Sequence, residues 1–201
     1  LGDPAIDVTS YDVSLDVDTV AHRLDGDVSM EVGFTSPRTW FSLDASGPRV
    51  VAVSVDGSTA DFVSTAHKLY VHLSRPVRAG DDRLVRVRYR ATPRAARSTA
   101  GVDVGWHWTD DGSWVQGEPD GTSTWLPCND HPSDRSNFTV TVTVPRYSRR
   151  TSPGWGGLCI LVIQTSVVIQ IIQQFNVMSN EAKRQSPIGL HCHRQVPIQV
   201  A

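Results

Sequence analysis

The 201-residue chain is poor in several things, and each scarcity removes a class of explanation. Cysteine occurs three times, as Cys128, Cys159 and Cys192, with no zinc-knuckle or redox spacing and no even disulfide framework. That usage favours a reducing, cytoplasmic setting. The net charge is only -2, and no Arg/Lys stripe with interleaved aromatics occurs, so no nucleic-acid partner is expected. No apolar run reaches the ~20 residues that a bilayer span needs, so no membrane span is expected. No leader pattern stands at the start, although the chain begins at Leu1 rather than Met and a leader could have been removed. Before residue 150 no segment keeps a long helical period.

What is present is period-2 alternation, with 39% hydrophobic residues to build a core. YDVSLDV (11–17) places Tyr11, Val13, Leu15 and Val17 on one face, and DVSMEVGF (27–34) does the same with Val28, Met30, Val32 and Phe34. VVAVSV (50–55), KLYVHL (68–73), LVRVRYR (84–90) and FTVTVTV (138–144) follow. Turn signals separate them at Asp25-Gly26, Asp56-Gly57, Gly80-Asp81-Asp82 and Asp111-Gly112. Short strands with polar outer faces predict an all-β unit over 1–145, an antiparallel β-sandwich or saddle-shaped sheet.

After Pro145 the character changes. Residues 1–145 hold 13 basic and 20 acidic residues, net -7, whereas 146–201 hold 6 and 1, net +5. The alternation gives way to LCILVIQTSVVIQII (158–172), a β-branched block that is Pro-free, uncharged and aggregation-prone. Local signals that disagree with their neighbours argue against one co-selected fold. The expectation is therefore an irregular C-terminal tail over 146–201, of shifted-frame or replaced origin; a buried strand pair is the alternative.

The stretch WVQGEPDGTSTWLPCNDHPSD (114–134) departs from alternation differently. Pro119, Pro127 and Pro132 exclude a central strand, and Asp120-Gly121 marks a tight turn. A stiff loop anchored by Trp114 and Trp125 is expected. Gln116 and Glu118 stand two residues apart and point the same way if the backbone is extended. A carboxylate beside an amide suits a ligand's ammonium group. A bare Gln-x-Glu is more often a solvated loop.

The whole stretch carries more than the pair. Gln116-Gly117-Glu118-Pro119, followed by Pro127-Cys128-Asn129-Asp130-His131-Pro132, resembles the N-terminal domain of the aminopeptidase N family of zinc exopeptidases, bacterial type. YDVSLDVD, Asp25-Gly26 and VVAVSVDG fall where that domain has its opening strands, and the resemblance spans about residues 3 to 145. It implies a saddle of strands covering one side of an active site. It further implies that Gln116 lines the pocket for the first substrate side chain and that Glu118 binds the free α-amino group, with Gly117 leaving room for a backbone to approach. An α-amino group with pKa near ~8 is largely charged at neutral pH, so a fixed carboxylate would admit only chain ends. Many members carry Ala-Arg where this chain has Thr122-Ser123, so no contact by that Arg carries over.

The family's chemistry needs HExxH on a helix, with two His on zinc and a Glu as general base. None of the seven His (22, 67, 72, 107, 131, 191 and 193) falls in such a motif. The expectation is that this chain binds no cofactor and holds no catalytic residue. Zinc would belong to a missing catalytic domain, the chain's partner alongside the peptide N-terminus it receives. His191-Cys192-His193 reads as unliganded tail, and Asp130 with His131 as loop scaffolding rather than a proton relay. Trp106-His107-Trp108 reads as core packing beneath the loop. It also carries the alternative function, a non-catalytic β-sandwich binding module using a Trp-rich face for carbohydrate or protein. A purely structural sandwich domain is a third possibility.

Overall fold

The computed structural model describes residues 2–109, 112–131 and 134–144, together with Leu158–Leu161, Gln173–Phe175 and Gln195–Ile198. Most of the 158–172 block, His191-Cys192-His193 and Pro132 lie outside the described residues. The first strands are β1 (Ile6–Asp18), β2 (Arg23–Phe34), β3 (Arg38–Asp44), β4 (Arg49–Val55), β5 (Ser58–Thr59) and β6 (Phe62–Ser64). They are followed by β7 (Lys68–Val77), β8 (Asp82–Ala91), β9 (Ala95–Arg97), β10 (Asp103–Thr109), β11 (Gly112–Gln116) and β12 (Asn137–Thr143). The protein is all-β, and among the described residues no helix is long and apolar enough to cross a membrane.

A seven-stranded sheet runs Gln195–Ile198, β12, β1, β2, β8, β4, β5. A three-stranded sheet (β3, β7, β6) and a sheet built on the β10–β11 hairpin complete the fold. Most described pairings are antiparallel, but β12 lies parallel to β1, with Tyr11 opposite Phe138. Their rings stack at 4.5 Å with a 3° interplanar angle. Leu158–Leu161 also runs parallel to β11.

The alternation predicted from sequence is the burial pattern observed. Tyr11, Val13, Leu15 and Val17 on β1, and Val28, Met30, Val32 and Phe34 on β2, point into one core. Phe41, Leu43, Leu69 and Val71 enter it from the small sheet, and Trp106 and Val115 from the hairpin. Burial of each such side chain contributes about 1.5–3 kcal/mol.

Asp25-Gly26 is not a turn. It sits inside β2, opposite Asp16 and Leu15 on β1 and opposite Arg90 and Tyr89 on β8. Gly26 is needed there because any Cβ would overlap the Tyr89 ring, while Asp25 meets Arg90 at 2.8 Å across the outer face. The reversal lies at 19–22, where Asp18 Oδ1 accepts the amide protons of Val20 (3.0 Å) and Ala21 (2.8 Å). Asp56-Gly57 does turn, with φ of 51° and 78°, and Gly80 turns with φ 86°. The β10–β11 hairpin closes at the Thr109–Gly112 pair, and its residues 110–111 lie outside the described residues.

Candidate functional site

β11 ends at Gln116, and the chain turns at once. Gly121 N–H donates to the Gly117 carbonyl (2.6 Å), and a 3-10 turn follows over Thr122–Thr124. The Glu118–Pro119 peptide is cis. The extended backbone that would carry Gln116 and Glu118 on one face therefore stops at Gln116. Contact is made instead through the side-chain amide: Gln116 Nε2 donates to the Glu118 carbonyl at 3.4 Å. Both residues are half-buried and Gly117 is buried. Gly121 is held close beneath them; a Cβ there would stand 2.6 Å from the Gln116 carbonyl oxygen and 2.6 Å from Val104 Cβ.

The loop is fastened from below by a buried polar clamp. Asp44 Oδ2 accepts the amide protons of Gly2 (2.7 Å) and Asp130 (3.1 Å), while Oδ1 pairs with Lys68 Nζ at 2.9 Å. Asp44 and Cys128 exchange both backbone bonds, at 2.7 and 3.0 Å. Asn129 Oδ1 accepts the Asp3 N–H (2.7 Å), and Asn129 N–H donates to the Tyr11 hydroxyl (3.0 Å). The Asp3 carboxylate in turn accepts from Arg38 Nη1 (2.9 Å) and Ser42 N–H (3.1 Å). Buried polar groups are tolerable only when bonded in this way.

The Pro-Cys-Asn-Asp run thus acts as scaffolding. The Asp130 carboxyl accepts from Ser123 N–H at 3.4 Å. Burial, with Asp44 and Asp120 nearby, raises it to about 6. Asp134 is also raised to about 6, chiefly by burial, although it accepts from Asn129 Nδ2 and Val8 N–H. Thr122 and Ser123 are buried, and the Ser123 carbonyl accepts Ser46 N–H at 2.8 Å. Cys128 is buried, which pushes its thiol well up.

The tryptophans divide by strand face. Trp106 is 1% exposed and meets Trp125 edge-on at 5.8 Å, so Trp125 is the anchor expected beneath the loop. Trp108 lies partly buried beside Trp106, tilted by 37°, with Nε1 donating to the Pro93 carbonyl (2.9 Å). These two rings form no exposed coplanar row, so the Trp-rich binding face expected for a non-catalytic module is not there. Trp114, expected as the second anchor, is instead 36% exposed. Ser113 and Val115 take the inward positions of β11, which turns Trp114 outward onto His107, ring to ring at 3.7 Å and 1°.

Among the described residues no group of three or more His, Cys, Asp and Glu is placed to hold a metal ion. The family described as the peptidase M1 N-terminal domain matches residues 8–152, and the chain belongs to it.

The solved structures to which the chain is similar include M1 zinc metallopeptidases. A two-domain M1 zinc metallopeptidase mutant bound to L-arginine is 41% identical, with TM-score 0.68, over 72% of this chain and 34% of that one. An M1 zinc metallopeptidase mutant from Deinococcus radiodurans bound to a Tyr-Ser-Ala substrate is 41% identical, TM-score 0.68, over 73% and 34%. A two-domain mutant bound to L-tryptophan is 40% identical, TM-score 0.68, over 73% and 34%. The chain therefore spans about a third of the length of the structures it matches. A comparison with curated proteins found no match.

The clamp residues Asp3 and Asp44 went unnoticed in the sequence. A carboxylate in the short alternating run Phe41-Ser42-Leu43-Asp44-Ala45 was the available signal. The outward placement of Trp114 beside Gln116 was equally available from its i, i+2 spacing.

Proposed function

We propose that this chain is the substrate-gating domain of a zinc-dependent aminopeptidase, binding the free α-amino end of a peptide. In this reading Glu118 receives the α-ammonium group and Gln116 lines the pocket for the first side chain. The observation that carries it is the joined Gln116–Glu118 pair at the end of β11, in a turn braced by the buried clamp. A rigid support of that kind is what a site reading a fixed distance requires. The ligands of the similar structures support it, since L-arginine, L-tryptophan and Tyr-Ser-Ala all present a free α-amino group.

Hydrolysis is assigned to a catalytic domain outside this sequence, because no HExxH stretch occurs in its 201 residues. The domain boundary is placed near residue 145, with 146–201 of separate origin. The charge break there supports this placement, and an in-frame HExxH recovered from the adjoining coding sequence by a one-base shift would establish it.

The direct test is calorimetric titration of the chain with Tyr-Ser-Ala and with its N-acetylated form. Binding of the free peptide alone, abolished in Glu118→Gln, is the expected result. Equal binding of both peptides would overturn the assignment of Glu118. Zinc-dependent release of N-terminal residues by the purified chain would overturn the absence of catalysis.

A further inference from the structure

We propose that the stacked Trp114–His107 pair is a specificity-determining platform, receiving the planar side chain of the substrate residue that Gln116 and Glu118 hold. This rests on the reading of Gln116 and Glu118 given above and adds a side-chain preference to it, for aromatic and guanidinium groups over small aliphatic ones.

Strand register puts the parts together. Side chains two apart on β11 share a face, about 7 Å from each other, so Trp114 and Gln116 stand side by side. Across the hairpin His107 faces Trp114 and Gly105 faces Gln116. The partner strand therefore supplies a ring beside the indole and no side chain beside the amide. Trp114 is 36% exposed, whereas Trp106 and Trp125 are each 1% exposed. The same chain buries two indoles in its core and keeps this one at the surface, next to the candidate site.

His107 fixes the indole plane at 3.7 Å and 1°. Burial holds the imidazole below its ordinary value, so it is neutral at pH 7 and stacks as an uncharged ring. An aromatic surface already held in place loses little freedom on binding. Indole, phenol and guanidinium groups are all planar and all stack on such a ring, whereas a methyl group gains little.

The test titrates the intact chain with L-tryptophanamide, L-argininamide and L-alaninamide, following the tryptophan side-chain N–H signals by NMR. The planar amides are expected to bind about 2- to 10-fold more tightly than alaninamide. Trp114→Ala should bring that ratio to about one, while Trp114→Phe should retain most of it. Because Trp114 is a surface residue, the near-ultraviolet signal of Trp106 and Trp125 should persist and certify the fold. Glu118→Gln should weaken all three amides by one common factor. If Glu118→Gln changes nothing while Trp114→Ala still removes the preference, the platform stands and the α-amino assignment falls. A ratio unaltered by Trp114→Ala, or no saturable binding of any amide, overturns the platform.

Discussion

On the outer face of the seven-stranded sheet, Arg86 grips a half-buried Asp27 at 2.6 and 2.7 Å, and Arg90 grips Asp25 at 2.8 Å with both partners well exposed. Beneath the 116–134 loop, Asp44 makes contacts of similar length with Lys68, Gly2 and Asp130, but its residue is only 4% exposed. The bond lengths match and the consequences do not. At the surface water replaces a lost partner, so a pair is worth little. In the interior the abandoned group has no substitute. Distance alone therefore misjudges which ion pair a fold depends on; access to solvent decides it.

The largest effect expected from this contrast is at Asp44. Asp44→Ala leaves the Gly2 and Asp130 amides without their acceptor, while Lys68 keeps the Gly2 carbonyl, and should cost about 2–4 kcal/mol, read from urea unfolding. A loss as small as that of a surface pair would break the comparison. Next comes Gly121→Ala, whose Cβ would press on the Gln116 carbonyl and Val104. Overpacking of this kind costs about 1–3 kcal/mol, and the displaced Gln116 should also weaken peptide binding in the same titration.

Acidity sharpens the contrast further. Burial raises Asp130 and Asp134 from 3.8 to about 6, so between those values the folded chain keeps protons that the unfolded chain has released. Their contribution is most favourable at the acid end of that window and is lost as pH rises through about 6. Asp130→Asn should roughly halve this slope, seen as a smaller difference in melting temperature across the window. Exposed Asp18 has the opposite sense. The amides of Ala21 and Val20, with Arg23 alongside, hold it below 3.8, so its contribution is present above that value and lost on further acidification. The smallest effect is expected at Arg90→Ala: under about 1 kcal/mol, and less still in high salt.

Much of the sheet was legible in the sequence, because alternation and burial are the same fact on β1, β2, β7, β8 and β12. Asp25-Gly26 misled because a glycine can serve a neighbouring ring as well as a turn; here Tyr89 occupies the space. β3 escaped because Phe41, Ser42, Leu43 and Asp44 are all buried, one side facing the core and the other the clamp. The apolar-polar alternation there is short, and Trp40 beside Phe41 interrupts it. Gln116 and Glu118 were found through motif likeness, since nothing in local periodicity singles them out. The clamp was invisible for a different reason. Its bonds join residues far apart, Arg38 and Asp3 by 35 positions and Asp3 and Asn129 by 126, and no short window along the chain contains both ends.

The parallel seam between β1 and β12 sets a timetable for synthesis. β1 must wait beside an open lane while β2 to β11 leave the ribosome, because its neighbour on that side, β12, is encoded after them. Until then Tyr11 has neither the Phe138 ring nor the Asn129 amide to meet. The nascent chain therefore carries a sticky, half-dressed border throughout translation, and the braced loop is among the last parts to take its place.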